Sequence, residues 1–98
     1  MRRLSTPKPP ESACITSLSA LGQAVRARRL ASALRIDDAA ALCGVSVDLL
    51  SRLENGRSGV TSDRLLRVLD GLGLSLIVLD KASVPAILQA TAQERAVL

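Results

Sequence analysis

The sequence predicts a mainly α-helical protein of one domain, a bundle of four to five helices followed by one C-terminal strand. Three observations support this fold class. The chain has 98 residues, which suffices for one small hydrophobic core. Its hydrophobic fraction of 48% includes no Phe, Tyr or Trp, so the core must consist of Leu, Val, Ile and Ala, which suit packed helices. Apolar residues also recur at three- and four-residue spacing between helix-capping residues.

An N-terminal arm, residues 1–17, precedes the helices in this prediction. It contains three prolines and a basic start, a composition that favours a flexible chain. The first helix then covers residues 18–32, with Ser17 as its N-cap and arginines near its end, where cations stabilise the helix dipole. Its apolar side consists of Leu18, Leu21 and Val25.

Two short helices follow, joined by a very tight turn. The second covers residues 37–43, because two aspartates open it and Gly44 suits a left-handed end. The third covers residues 47–54, with Ser46 as its N-cap and an Asn-Gly pair as its stop. Two helices joined by about two residues must cross at a steep angle.

A fourth helix is predicted from a Thr-Ser cap at residues 61–62 to a glycine at residue 71 or 73. The helical domain with its strand therefore spans residues 18–82. The remaining residues, 83–98, form either a last helix from residue 86 to 97 or a tail that only a partner orders.

The predicted strand follows the fourth helix, near the end of the helical domain. Its five residues are β-prone and too few for a helix: Ser75, Leu76, Ile77, Val78 and Leu79. A lone strand leaves its backbone N–H and C=O groups unpaired, which costs free energy if they are buried. The same strand of a second copy, related by a two-fold axis, is the simplest partner. We therefore predict a homodimer with a two-stranded intermolecular sheet; the alternative is an irregular segment lying on the helices.

Composition restricts the classes of function. Without histidine, and with Cys14 and Cys43 far apart, the chain offers neither a zinc ligand set nor a pair for nucleophilic catalysis. We therefore expect no enzyme, no metal, no cofactor and no small-molecule ligand. The apolar run at residues 72–79 is too short to cross a membrane, and prolines interrupt any secretory signal, so we expect a cytoplasmic protein. A net charge of +4 suits a polyanionic partner, while the lack of aromatic residues argues against single-stranded nucleic acid.

The segment from Ala40 to Gly56 is the most informative part of the sequence. A small residue at Ala40, a glycine at the turn, and apolar residues at Val45 and Leu50 allow two helices to pack at a steep angle. That geometry projects the second helix of the pair outward, where it can enter the major groove of DNA.

This segment resembles the helix-turn-helix of the phage-repressor-like Xre (Cro/C1-type) family, and the resemblance covers residues 18–81. Residues 51–57, Ser-Arg-Leu-Glu-Asn-Gly-Arg, resemble the family's ending of the recognition helix. Residues 72–80 are similar to the dimerising strand of HipB-type antitoxins. The resemblance implies a lambda-repressor-like fold and a homodimeric transcriptional repressor that binds a palindromic operator in double-stranded DNA, in the bacterial cytoplasm at the nucleoid.

Site residues follow from the resemblance position by position. Those that would contact bases are Val47, Asp48, Ser51 and Arg52. Arg52 would pair with guanine O6 and N7, and Val47 would touch a thymine methyl. Asp48 would either accept a hydrogen bond from cytosine N4 or merely favour the positive helix start. Those that would bind phosphate are Ser46, Asn55, Arg57 and, by charge, Arg35.

The resemblance also implies an ion pair between Arg29 and Glu54 that fastens the first helix to the third; the alternative is that Arg29 is a solvated cation. The sequence departs from the family at several positions. Arg35-Ile36 replaces the usual Thr-Gln or Asn-Gln that opens the second helix, Ala33 replaces a usual glycine, and Ala39 replaces a usual leucine. These changes could weaken DNA affinity.

Three functions remain open at this point. The first is the antitoxin of a toxin–antitoxin operon, which represses its own promoter and binds a HipA-like kinase toxin. The second is a phage or mobile-element repressor with no toxin partner. The third is a protein-interaction module that has kept the fold and lost DNA binding.

Overall fold

The computed structural model describes residues 14–97, and within them the chain is helical, as predicted. Its elements are α1 (Leu18–Ala31), α2 (Ile36–Cys43), α3 (Val47–Glu54), α4 (Ser62–Gly71), a 3-10 turn (Lys81–Ser83) and α5 (Val84–Val97). The first four helices lie within one residue of the predicted bounds, and the last segment is a helix rather than a tail. Most of the predicted N-terminal arm lies outside the described residues.

Side-chain caps and glycines set the ends of the short helices. Ser17 Oγ accepts a hydrogen bond from the Ala20 amide at 3.0 Å, which starts α1. Ser46 Oγ accepts from the Leu49 amide at 3.1 Å, which starts α3. Between α2 and α3, Gly44 adopts φ 72°, a left-handed conformation that lets the chain turn sharply.

The core lies where the first four helices meet. α1 packs against α3, and α2 packs against both α3 and α4. The buried apolar residues come from all four helices and the residue after α4: Val25, Ala39, Ala40, Cys43, Leu50, Leu53, Val68, Leu69 and Leu72. Because these residues are small or aliphatic, the helices approach closely, and α3 packs between α1 and α2.

Gly22 allows a close approach between α1 and α3. It lies on α1 against the end of α3, and a Cβ at this position would stand 2.4 Å from the Leu53 carbonyl oxygen and 2.6 Å from that of Glu54. Both contacts involve backbone atoms, which cannot rotate away. Gly22 therefore fixes the distance between α1 and α3.

A second close approach joins α2 to α4. A Cβ at Gly71 would lie 2.6 Å from Cys43 Sγ and 3.0 Å from Cys43 Cα. The thiol also lies 3.6 Å from the Val68 carbonyl oxygen, within reach of a weak hydrogen bond. Burial raises the pKa of the Cys43 thiol above its usual range, so this side chain packs as a small neutral group.

The predicted strand is not supported by the structure. Among residues 14–97 there is no strand, and residues 74–80 have no regular secondary structure. The physical reason is that a strand exists only when its backbone pairs with another strand, and this is the chain's one strongly β-prone run. Four consecutive apolar side chains are left exposed as a result: Leu76, Ile77, Val78 and Leu79.

α5 stands apart from the helices that form the core. Its principal packing is against the 3-10 turn that precedes it. In the described part of the chain, no helix combines the length and apolar character needed to cross a membrane.

Candidate nucleic-acid interface

α3 presents one side to the core and the other to solvent. Leu50 and Leu53 are buried, whereas Val47, Asp48 and Arg52 are exposed. The helix lies at the surface because α1 and α2 cover only its apolar side. An exposed polar helix face held by a rigid bundle is the arrangement with which helix-turn-helix proteins enter the major groove.

The structure brings most of the predicted contact residues together. Five of them line one shallow, open and mainly polar depression: Asp48, Ser51, Arg52, Asn55 and Arg57. Val47 is exposed beside them at the first position of α3. Ser46 lies one residue earlier, whereas Arg35 lies at the start of α2 and is not part of the depression. The depression thus combines hydrogen-bond donors with two cations.

Asp48 and Arg52 contact each other on this face. Asp48 Oδ2 accepts a hydrogen bond from Arg52 Nη2 at 3.1 Å, one helical turn apart. The side chain of Asp48 is 82% exposed and that of Arg52 is 45% exposed. The arginine is more enclosed because the loop after α3 passes beside it, where a Cβ at Gly59 would lie 3.5 Å from Nη1.

The residues predicted to bind phosphate retain donors for that purpose. Ser46 uses its oxygen to accept from the Leu49 amide, so its hydroxyl hydrogen can still be donated. Asn55 donates from Nδ2 to the Ser51 carbonyl at 2.8 Å, and an amide nitrogen carries two hydrogens. Arg57 is exposed at the rim of the depression.

Arg35 is exposed to solvent at the start of α2. Its side chain is 80% exposed, and its Nε lies 3.3 Å from Asp37 Oδ1. Water and salt screen an ion pair this exposed, so breaking the pair with Asp37 requires little free energy. Arg35 can then bind a phosphate instead.

Arg29 and Glu54 form a buried ion pair behind the exposed face. Arg29 Nε donates to Glu54 Oε2 at 2.6 Å, and Nη2 donates to Oε1 at 2.9 Å. Arg29 Nη1 also donates to the Leu34 carbonyl at 3.0 Å. The hydrogen bond to Glu54 raises the pKa of Arg29 further above its already high value. The two bonds to Glu54 tie the end of α3 to α1.

Sequence reasoning missed three residues that position the site. Gly22 allows the close approach of α1 to α3, and Gly59 lies beside Arg52, where an added Cβ would meet Nη1 at an ordinary contact distance of 3.5 Å. Arg28 donates from Nε to the Leu72 carbonyl at 2.7 Å and thereby ties α1 to the end of α4. A glycine in the middle of an amphipathic helix, as at Gly22, is the signal that could have been used, because such a glycine costs stability unless packing requires it.

Comparison with known proteins agrees with this geometry. A family model described as a helix-turn-helix domain matches residues 20–82. No curated protein sequence matches the chain.

Among solved structures, one titled "Structure of HipA-HipB-O2-O3 complex" matches 71% of this chain and 99% of that chain, with a TM-score of 0.65 and 23% identity. A "HipB-O4 20mer complex" matches 71% and 99%, with a TM-score of 0.64 and 23% identity. The clp gene regulator ClgR from C. glutamicum is 36% identical, over 66% of this chain and 85% of that chain, with a TM-score of 0.56.

Proposed function

The chain belongs to the helix-turn-helix domain family, and on that premise we propose that it is a sequence-specific DNA-binding protein that represses transcription as a homodimer. The observation that carries the proposal is the polar outer face of α3, where Asp48 and Arg52, with Arg57 from the loop after the helix, surround one open depression. Residues of this type supply the bidentate base contacts and the phosphate contacts that the major groove requires.

Rigid support of α3 favours a DNA-reading role over a loose interaction surface. The helix is held by the buried Arg29–Glu54 pair, by the close approach at Gly22 and by the apolar residues Leu50 and Leu53. Base recognition depends on donors held at fixed positions, and a helix packed between α1 and α2 meets that need.

The homodimer is proposed from the exposed apolar segment after α4. Four apolar side chains in succession face solvent in the single chain, and Val78 is 88% exposed. Such a run is unusual on a small monomer and is typical of an association surface. Pairing of this segment with its copy about a two-fold axis would cover it. Binding to successive major grooves would then require the two α3 helices to lie about 34 Å apart, one turn of DNA.

As a finer proposal, the protein is the antitoxin of a HipBA-like pair and binds a HipA-like kinase toxin. Support comes from the sequence of residues 72–80 and from a fold that covers 99% of the HipB chain in the HipA–HipB–DNA structure. The competing proposal is a repressor of a mobile element with no toxin.

DNA binding is tested by gel shift of the full-length protein on the duplex upstream of its own gene, with and without unrelated competitor DNA. We expect a shift that competitor does not abolish. Arg52→Ala should weaken this specific binding by about 1–3 kcal/mol, the usual contribution of a bidentate guanine contact. Arg67→Ala, which removes an equal charge from an exposed position on α4, is the matched control and should have a smaller effect. No shift at low salt would contradict the proposal.

The antitoxin role is tested by co-expression with the adjacent reading frame. A kinase-like neighbour that co-purifies with this chain, and whose toxicity the chain relieves, would support it. If the adjacent gene encodes a protein that is not kinase-like, and the gel shift is still observed, the mobile-element repressor would be favoured.

A further inference from the structure

We propose that Asp48 is a positioning residue that holds Arg52 in the orientation required to recognise guanine, and thereby determines sequence specificity. This inference rests on the proposed DNA-binding function and deepens it. It also chooses between the roles that the sequence left open for Asp48, because the carboxylate acts through Arg52 and not on a base.

The guanidinium of Arg52 is held at one end by Asp48. Asp48 Oδ2 accepts from Nη2 at 3.1 Å. At the other end, Gly59 lies beside Nη1, and even an added Cβ there would meet Nη1 at 3.5 Å, an ordinary contact distance. An arginine side chain on a helix surface otherwise samples many rotamers, and ordering it on binding costs free energy. The contact with Asp48 in the unbound protein removes part of that cost.

The contact with Asp48 leaves enough donors for a base. A guanidinium carries five N–H groups, and the Asp48 contact uses one of them. Recognition of guanine O6 and N7 uses two more. Arg52 can therefore keep its contact with Asp48 while it binds guanine, and its side chain is still 45% exposed.

The charge of Asp48 supports a role in specificity rather than in affinity. A carboxylate that is 82% exposed on the DNA-facing side repels phosphates and lowers binding to every sequence equally. Such a residue weakens binding to all DNA and also orders a side chain that contacts bases. It therefore increases the difference in binding free energy between the operator and other sequences.

The test is selection from a library of duplexes with a randomised central segment, using the full-length protein and its variants. Asp48→Asn and Asp48→Glu alter the hydrogen bond between residues 48 and 52, and Arg52→Ala removes the guanidinium proposed to recognise guanine. Asp38→Asn is the matched control, because Asp38 is also an exposed first-turn aspartate but has Leu42 one turn later. Circular dichroism of each variant verifies the fold, and anisotropy on one unselected duplex measures general affinity.

The wild type should enrich guanine at two symmetric positions, and Arg52→Ala should lose that preference. Asp48→Asn should lower the guanine preference by about two- to fivefold, the range that an exposed pair one helical turn apart can supply, while general affinity for the unselected duplex rises. Asp48→Glu should restore part of the preference, since Glu and Arg one turn apart also pair. Asp38→Asn should leave the preference unchanged.

Several results would overturn the inference and leave DNA binding intact. In one, Asp48→Asn keeps the full guanine preference. In another, it loses a cytosine preference, which would mean that Asp48 reads a base itself. In a third, Arg52→Ala still enriches guanine at the same positions. If the wild type enriches no sequence at all, the proposed function itself fails.

Discussion

The guanidinium of Arg29 on α1 and the carboxylate of Glu54 at the end of α3 meet in a buried two-point ion pair, with N–O distances of 2.6 and 2.9 Å. Breaking such a pair by removing one partner leaves an uncompensated buried charge. Removing both leaves an apolar contact in place of the pair. The pair therefore makes the position of α3 depend on α1.

A double-mutant cycle on this pair should show strong coupling. Arg29→Met and Glu54→Leu should each lower the free energy of unfolding by about 3 kcal/mol, whereas the double variant should lose clearly less than the sum of the two. Urea unfolding measures all four proteins. The exposed Asp48–Arg52 pair is the control and should show little coupling. Additive losses at Arg29 and Glu54 would show that the two charges do not support each other.

Gly22→Ala should destabilise the protein although alanine is the better helix former. Alanine in a helix interior normally stabilises by about 1 kcal/mol relative to glycine. Here its Cβ would overlap the carbonyl oxygens of Leu53 and Glu54, so we expect a net loss of about 2 kcal/mol or more, together with weaker DNA binding.

Gly44→Ala is the matched comparison for Gly22→Ala. No neighbouring atom lies within 4 Å of its added Cβ, so only the left-handed backbone is strained, at a cost of about 1–2 kcal/mol. Thermal unfolding measures both variants. An increase in stability for Gly22→Ala would contradict the close approach of α1 and α3.

Ala33→Gly should stabilise the protein. Ala33 has φ 58° in the turn after α1, the one left-handed residue other than glycine among residues 14–97. Relief of that strain should exceed the entropy cost of glycine and give a gain of about 0.5–1 kcal/mol. Ala31→Gly, at the exposed end of α1, should instead cost stability. A loss for Ala33→Gly in denaturant unfolding would contradict the turn conformation.

The free energy of unfolding should fall as the pH rises above neutral, because the Cys43 thiol is buried in the folded protein. Burial places the pKa of its thiol in the folded protein above that in the unfolded chain, which is about 8.5. The thiol's contribution is therefore fully present below that unfolded pKa and is lost as pH rises through the folded pKa, because the unfolded chain releases the proton first. Between neutral and strongly alkaline pH, the wild type should lose more unfolding free energy than Cys43→Ala. Equal losses would mean that the thiol is accessible.

Ile77→Asp should shift the protein toward a monomer. Ile77 is 69% exposed in the single chain, in the middle of the apolar run proposed to mediate dimerisation. A carboxylate there would be buried at the two-fold interface. Leu42→Asp on α2 is the control, because Leu42 is also apolar and 59% exposed but lies outside that run. Sedimentation equilibrium measures both, and a wild type that stays monomeric at high concentration would contradict the dimer.

The first four helices could be predicted closely because their signals are local. Ser17 and Ser46 cap helices within three residues, and Gly44 ends one by its own backbone freedom. The strand predicted at residues 75–79 is absent from the structure, because β propensity describes a preference that becomes a strand only with a partner.

The candidate site also combines features that local sequence signals predict with features that depend on tertiary packing. The exposed side of α3 follows from helical periodicity, and the Asp48–Arg52 contact is a pairing that spacing allows. The position of Gly59 beside Arg52, and the close approach of Gly22 to the end of α3, depend on how separate parts of the chain pack. Such contacts have no local signature beyond the glycine itself.

The most direct test of the central claim is an NMR titration of the isotope-labelled, full-length protein with duplex DNA at low salt. If the outer face of α3 binds DNA, the largest amide shifts should fall within residues 46–57, with smaller ones at the start of α2. Largest shifts elsewhere, or none at any DNA concentration, would contradict the account.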